Sequence, residues 1–450
     1  MNGLTGVIAL GADSSISWHA DSGVVLGPIT FEIGSVTVVV DAAFPDVIID
    51  LAVTDADALS AGLALFDDPG FVARVTAAAD GQAIVGTLLA APLVRVATVA
   101  AVGDIHLGEL DEAALLLDRA HARALAGDVD TAIDLYTLSH AVADRIVEQI
   151  ESADYHGPLV TVLLEAIDSA PRQALDPADR ETWTTALRER RFDLGGHVAD
   201  ELLELAVGSI PQLAVTLGDA ASPAGQVVDL RAVPPRILEY TGPDGPDLDV
   251  VDRGGRVVVR ASLRDDAMVE SAEVQELFAV AAEESTGDLL AVAPCIVDDG
   301  VVTAELTVPG MTAGSLRCAL IGSGTDPDTL RMDRFGIAIA RIDRYCRHAW
   351  TLHRTAGALL AGLDLAVNDT AFDAVQQEAE ETHDAAVDAV QTALGLAAQL
   401  RRRHRSGPDA KGLAAYVAAM ERFESSIAAR PSLDGPTGVT LTELLAVTEL

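Results

Sequence analysis

The sequence predicts a multidomain α+β protein: a helical array, an antiparallel β-sandwich-like domain and a C-terminal antiparallel helical hairpin. Three observations carry this. Helix-period segments punctuated by Gly and Pro turns fill residues 81–218, strand-period runs bounded by tight turns fill 219–330, and two long amphipathic stretches occupy 331–450. At 450 residues the chain has room for roughly three domains of ~150 residues each.

Residues 1–80 read as an α/β or β-rich segment. Val36-Thr37-Val38-Val39-Val40 and Val47-Ile48-Ile49 are short, apolar, β-branched runs with Pro45 between them, a composition suited to a pleated, half-buried surface. A helix is expected around Ala56 to Phe66, and Asp67-Asp68-Pro69-Gly70 reads as a turn. From Gly81 to Gly218 the helical pieces break at Gly103-Asp104, Gly127-Asp128, Gly157-Pro158, Asp176-Pro177, Gly195-Gly196 and Pro211. Such short breaks imply antiparallel neighbours. The most apolar run, Ile84 to Val102, contains Gly86, Pro92 and Arg95. A central arginine costs a few kcal/mol in a bilayer, so this run is expected inside a protein core and no membrane partner is expected.

Residues 219–330 change character. Arg256 to Leu263 reads as a strand preceded by Gly254-Gly255, a hairpin signal. Leu289 to Val297 and Val301 to Val308 flank Asp298-Asp299-Gly300 as a second hairpin, and Val302, Ala304, Leu306 and Val308 alternate with polar residues, the mark of a sheet with one buried face. A helix is expected to interrupt this domain around Met268 to Glu284. In 331–450, Phe335, Ile339, Ile342, Cys346, Ala349 and His353 fall on one helical stripe. A second long helix opens at the capping box Thr370-Ala371-Phe372-Asp373, runs to about Arg403 and ends at Gly407-Pro408, and a third spans about Lys411 to Ala429.

Net charge bounds the partners. The chain carries 30 basic and 69 acidic residues, a net of −39, with a pI near 4.3. From Arg331 onward there are 13 basic and 16 acidic residues, which leaves 17 and 53 for residues 1–330. This balance repels phosphate backbones and anionic bilayers, so no nucleic-acid role is expected. Lys411 is the one lysine, and Asn2 and Asn368 are the asparagines, a bias that fits GC-rich coding and leaves salt adaptation as one source of the acidity. Cys295, Cys318 and Cys346 are too scattered for a disulfide framework. Met1-Asn2-Gly3-Leu4 has no basic region typical of a secretory signal. A cytoplasmic location is expected.

With a lone lysine in Asp409-Ala410-Lys411-Gly412 there is no GxxxxGK[ST] loop, and HExxH, CxxC, GxGxxG and GxSxG do not occur. Ordinary nucleotide-binding, pyridoxal, zinc-protease, dinucleotide and hydrolase chemistry therefore lack their residues, and no cofactor is expected.

Gly103-Asp104-Ile105-His106-Leu107-Gly108 follows an apolar run, and Gly127-Asp128-Val129-Asp130 stands downstream. Together they resemble the first metal-binding motifs of calcineurin-like metallophosphoesterases. That resemblance implies a divergent metal-dependent phosphoesterase using Asp104, His106, Asp128 and Asp130, hard and borderline ligands that would activate water between two metals. The chain departs from the family: neither asparagine precedes a histidine, and Gly196-His197-Val198-Ala199 lacks a second histidine. Around the same turn, Ala120, Gly127, Ala132 and Tyr136 occupy small, turn, small and aromatic positions. Over about Ala113 to Ile146 this resembles one degenerate tetratricopeptide-repeat helix pair, with Leu116 and Arg123 at the usual Trp and Tyr positions. The resemblance implies protein binding.

Cys346 and His353 lie two turns apart on one helix, ~10 Å at 1.5 Å per residue, too far to share a metal. Arg401, Arg402, Arg403 and Arg405 form the basic run of the chain. As a helix C-terminus they complement the backbone dipole. They are also the candidate docking residues for an acidic partner. The functional expectation is a non-enzymatic protein–protein interaction protein, a scaffold or accessory subunit of a larger assembly.

Overall fold

The computed structural model describes residues 4–136, 226–322 and 334–447, with 177–178, apart from interruptions at 12–14, 21–23, 34–35, 54–64, 109, 228–232, 234–236, 240–246, 254–255, 265–266, 268, 270, 285, 287, 299, 364–368 and 407–409. The fold is mixed α+β, and its sheets are antiparallel throughout the described residues. The helix expected around Ala56 to Phe66, the breaks from Gly157-Pro158 to Pro211 and the tips Gly254-Gly255 and Asp299 lie wholly or largely outside the described residues.

The first sheet comprises β1 (Thr5–Leu10), β2 (Ile16–Ala20), β3 (Pro28–Ile33), β4 (Val36–Asp41), β5 (Phe44–Val53) and β6 (Ala83–Val85), in the order β3-β4-β5-β2-β1-β6. The two β-branched runs lie in β4 and β5, and Val36, Val38 and Val40 point inward with Ile29, Phe31 and Leu51. Trp18 on β2 is wholly buried, and its indole Nε1 donates to the Ile84 carbonyl at 3.2 Å. Two glycines make room for this ring. A Cβ on Gly6 would stand 2.4 Å from the indole and 2.5 Å from the His19 carbonyl oxygen, and one on Gly86 would stand 2.8 Å from the indole.

Asp67-Asp68-Pro69-Gly70 is not a free turn but a helix start. Asp68 caps α1 (Pro69–Thr76), accepting from the Gly70 N–H at 2.8 Å, with Pro69 in the first turn. Proline lacks an N–H that this position would leave unpaired anyway. The apolar run Ile84 to Val102 supplies β6 and most of α2 (Ala91–Ile105), which is buried on nearly every side. The expected break at Gly103-Asp104 does not occur, since α2 continues to Ile105. Gly103 serves close packing instead: its missing Cβ would meet Leu115 at 3.1 Å and Arg119 at 2.6 Å on α3 (Glu112–Leu125).

Residues 226–322 build two sheets. One orders β12 (Ile296–Asp298), β13 (Val301–Thr307), β9 (Arg256–Ser262), β8 (Asp247–Asp252) and β7 (Gln226–Val227), and the other orders β11 (Leu289–Pro294), β10 (Leu277–Glu283) and β14 (Leu316–Gly322). Val302, Ala304, Leu306 and Val308 enter a core shared with Leu277, Ala279, Ala281, Leu316, Cys318 and Leu320 of the second sheet.

Two expectations need correction here. The helix expected over Met268 to Glu284 is the single turn α4 (Ala272–Gln275), followed by strand β10. In β10, Val280 and Ala282 are buried as well as Leu277, Ala279 and Ala281, so the period-2 signal is erased. The expected hairpin pairs only β12 with β13, from Asp298↔Val301 to Ile296↔Thr303. The preceding residues leave this sheet, and β11 pairs with β10 in the other.

The C-terminal helices are α5 (Arg334–Gly362), α6 (Asp369–Arg403), α7 (Ala410–Ala428) and α8 (Leu441–Ala446). Ile342, Cys346 and Ala349 of the expected stripe are buried, while His353 is half-buried. One hydrophobic core joins the first sheet, α2 and α3 to α5, α6 and α7: Ile8, Trp18, Val99 and Leu115 belong to it together with Ile342, Ala393 and Phe423. It therefore draws on three of the four segments marked along the sequence, and residues 226–322 are inserted between its two halves. Among the described residues no helix is long and apolar enough to cross a membrane.

Candidate functional site

Where the apolar run, α5 and the last described residues meet, the chain buries an ionic centre. Arg354 on α5 holds both carboxylate oxygens of Glu443 on α8 through Nε and Nη2, and its remaining reach is taken by the carbonyls of Thr437 at 2.6 Å and Gly438 at 3.0 Å. Both side chains are nearly sealed from water. Burial alone would raise the Glu443 pKa, but the charge and hydrogen bonds of Arg354 outweigh it and hold the carboxyl below its ordinary value. Glu443 also closes a capping box with Thr440. Its signal in the sequence is Thr440-Leu441-Thr442-Glu443, an S/T-x-x-E pattern.

A second pair reinforces the same helix start. Arg95 of α2 donates to the carbonyls of Gly438 at 2.9 Å and Val439 at 3.3 Å and stands 3.8 Å from Asp118 of α3. Asp118 in turn accepts from the backbone N–H of Leu441 and Thr442 and from the Thr442 hydroxyl at 2.7 Å. Burial raises the Asp118 pKa against the lowering pull of Arg95 and these donors. Arg95, the charge inside the apolar run, is thus matched by backbone oxygens and a carboxylate.

Beside this centre opens a cavity of about 480 Å³. Its wall includes Phe44, Leu88, Leu89, Val94, Trp350 and Val439, with Asp46, Asp67, His353 and Arg354 as its titratable groups. Burial, the nearby His383 and Arg354 push the His353 pKa down to about 4.

The four residues of the metallophosphoesterase resemblance are not brought together. Asp104 stands 3.9 Å from Arg119, and His106 is buried at the end of α2 with its Nδ1 accepting from the Gly108 N–H at 3.1 Å. Burial pushes the His106 pKa down to about 4. Asp128 pairs with Arg123 at 3.0 Å, and Asp130 lies in the first turn of the helical residues 129–136. Between the two groups runs α3, whose 14 residues span about 21 Å. Among the described residues no group of three or more His, Cys, Asp or Glu is placed to hold a metal ion.

In the helix pair, Ala120, Ala132 and Tyr136 are buried in one small cluster with Leu117 and Ala124. Gly127 takes a φ of +80° at the turn between them, the left-handed region that glycine enters freely. Residues 137–146 of the resemblance lie outside the described residues. Arg401, Arg402, Arg403 and Arg405 sit at and just beyond the end of α6, all exposed.

One surface feature carried no sequence signal. On β11 and β12, Leu290, Val292 and Ile296 are 44%, 46% and 71% exposed, and Pro294 between them is exposed too. Each strand is the edge of its sheet among the described residues, and Leu289 to Val297 contains no charge. The sequence shows an apolar strand there, and only the topology turns half of it outward at an edge.

Comparison of the chain with protein-family models, with curated proteins and with solved structures finds no match.

Proposed function

We propose that this is a non-enzymatic protein–protein interaction protein, a scaffold or accessory subunit, working in the cytoplasm as a multidomain chain. In this reading residues 226–322 form a β-sandwich-like module, and the helices of 334–447 form an antiparallel hairpin with a third helix beside it. The observation that carries the reading is the uncharged run from Leu290 to Ile296, which forms the edges of two sheets and is open among the described residues, in a chain whose net charge is −39. Exposed apolar edge strands invite pairing with another chain and are normally blunted by charge or cover. This one has no charge. A partner supplying an extended strand would extend one of these two ladders and cover alternate side chains.

Strong self-repulsion between two such anionic bodies favours a partner of different sequence over a second copy. Arg401, Arg402, Arg403 and Arg405 supply the cationic contact for an acidic region of that partner. The test is an affinity capture from native extract with the full chain and a Val292→Lys, Ile296→Lys variant of unchanged thermal stability. A protein retained by the native chain and lost with the variant supports the edge. Equal retention by both chains, or retention by neither, removes this reading.

A further inference from the structure

The end of the helical bundle where α6 stops gathers cations from neighbouring helices. α5 and α6 are consecutive and pack side by side, with the rings of His353 and His383 5.7 Å apart. Arg401 lies eighteen residues beyond His383, and position 335 lies eighteen before His353, so the antiparallel α6 ends level with the start of α5. α7 runs parallel to α5, because the Tyr416 hydroxyl donates to Asp343 at 2.8 Å and the Cys346 thiol to Met420 Sδ at 3.4 Å. The start of α7, with the exposed Lys411, therefore lies at this same end. Arg341 is exposed on α5, about 9 Å from the level of Arg401 along the bundle.

Few acids accompany these cations. Between Asp388 and Glu421 the sequence holds Arg401, Arg402, Arg403, Arg405 and Lys411 against one acid, Asp409. On α5, Asp343 is buried and bound by Tyr416. Elsewhere Arg74, Arg123 and Arg256 each pair with a carboxylate, as 69 acids for 30 bases readily allow. Among the described residues Arg341, Arg401, Arg402, Arg403 and Arg405 have no such pair. The backbone dipole at the end of α6 amounts to about half a negative charge, far less than four arginines carry.

We propose that this end of the bundle docks a short carboxylate-rich segment of another protein, held by Arg341, Arg401, Arg402, Arg403 and Arg405. The proposal rests on the interaction reading above and gives the chemistry of the partner at a surface separate from the β11–β12 edge. Successive helix positions turn by about 100°, so Arg401, Arg402 and Arg403 fan outward. One compact anion reaches only one or two of them, whereas carboxylates spaced along a peptide can each meet a different guanidinium. A nucleic acid or an anionic bilayer is a broad polyanion and also meets the field of a chain with net charge −39. A short segment confined to this end avoids most of that repulsion.

The experiment follows the fluorescence anisotropy of a labelled peptide alternating Glu with Ser, added to the full chain at low and at physiological salt. A peptide with Gln for Glu, inorganic triphosphate and a single-stranded oligonucleotide serve as competitors. The Glu peptide is expected to bind saturably, more weakly as salt rises, and to be displaced by none of the three at matched concentration. Gln at positions 401, 402, 403 and 405 together should weaken it about tenfold, the scale of several exposed pairs lost at once, and Arg341→Gln should weaken it less. Arg253→Gln with Arg260→Gln, exposed cations on the inserted sheets, should leave it unchanged. The proposal is overturned if the Glu peptide does not saturate, if any competitor displaces it, if the glutamine variants at the bundle end bind as the native chain does, or if the sheet variants lose as much. Self-association of the native chain that these bundle-end variants abolish would overturn it too, by giving the arginines to a second copy. The assay needs no edge contact, so a protein captured through Val292 and Ile296 alongside a failed peptide titration removes this proposal alone.

Discussion

Arg354 and Glu443 join α5 to α8 through a two-pronged ion pair almost out of reach of water. Two long-separated parts of the chain are fixed by this pair, because Arg354 also binds the carbonyls just before α8. Removing one member of such a pair leaves the other charged and buried. Glu443→Ala should therefore destabilise the protein by about 3–5 kcal/mol, measured by urea unfolding. Replacing both Arg354 and Glu443 by apolar residues of similar volume should cost much less than that. A loss under about 1 kcal/mol for Glu443→Ala, the scale of an exposed pair, would show that water reaches the site.

Acid should weaken the fold through His106. Its folded pKa is about 4, against about 6.5 in an unfolded chain. Between these values the unfolded chain binds the extra proton, so stability is fully present above pH ~6.5 and is lost as pH falls toward 4, by about 3 kcal/mol. His353 has the same sign. Asp41 opposes both: burial raises its pKa to about 6, so its contribution favours the fold at low pH and is lost as pH rises through 6. His106→Gln, which retains an acceptor for the Gly108 N–H, should flatten the fall in stability between pH 6.5 and 4. A pH–stability curve parallel to the native one would refute this assignment.

Gly6→Ala should be among the costliest single-methyl changes in the first sheet. The added carbon has no room between the Trp18 ring and the His19 carbonyl, so β1, β2 or the indole must shift. Overpacking of this kind costs ~1–3 kcal/mol and occasionally more. Thermal unfolding would report the loss.

Ala132→Phe tests the helix pair. Ala132 is completely buried against Ala120 and Tyr136, and a large side chain should cost about 1–3 kcal/mol. Thr131→Ala, exposed on the same helix, should change stability by less than about 0.5 kcal/mol. Equal effects from the two substitutions would mean that the helices are not in contact.

What was legible in the sequence followed the strength of its periods. The stripe through Ile342, Cys346 and Ala349, the alternation through Val302, Ala304 and Leu306, and the turn at Gly127 each show a single buried face or one required backbone conformation, and each is found in place. Segments buried on both sides, β10 above all, carry composition without period, so strand and helix cannot be told apart. The ionic centre was illegible for another reason. Arg354 and Glu443 are 89 residues apart, and nothing local to either announces its partner. The exposed arginines of α6 were readable as a helix end, while the open edge at Val292 needed the sheet order.

The shared core also sets a timetable for synthesis. Leu115 and Ala122 pack in the same core as Ile342 and Cys346, and 219 residues separate Ala122 from Ile342. At ~5–20 residues per second, translation of that stretch takes roughly 10–45 s. For that interval the nascent N-terminal sheet and α2 exist without the helices that cover them, presenting Val99-type apolar faces to the crowded ribosome exit. Collapse of this core is thus post-poned until late in elongation, and its high contact order makes closure slow. The acidic residues concentrated before position 331, 53 of the 69, lie in the part of the chain that emerges first, and their mutual repulsion keeps neighbouring nascent chains apart during the wait.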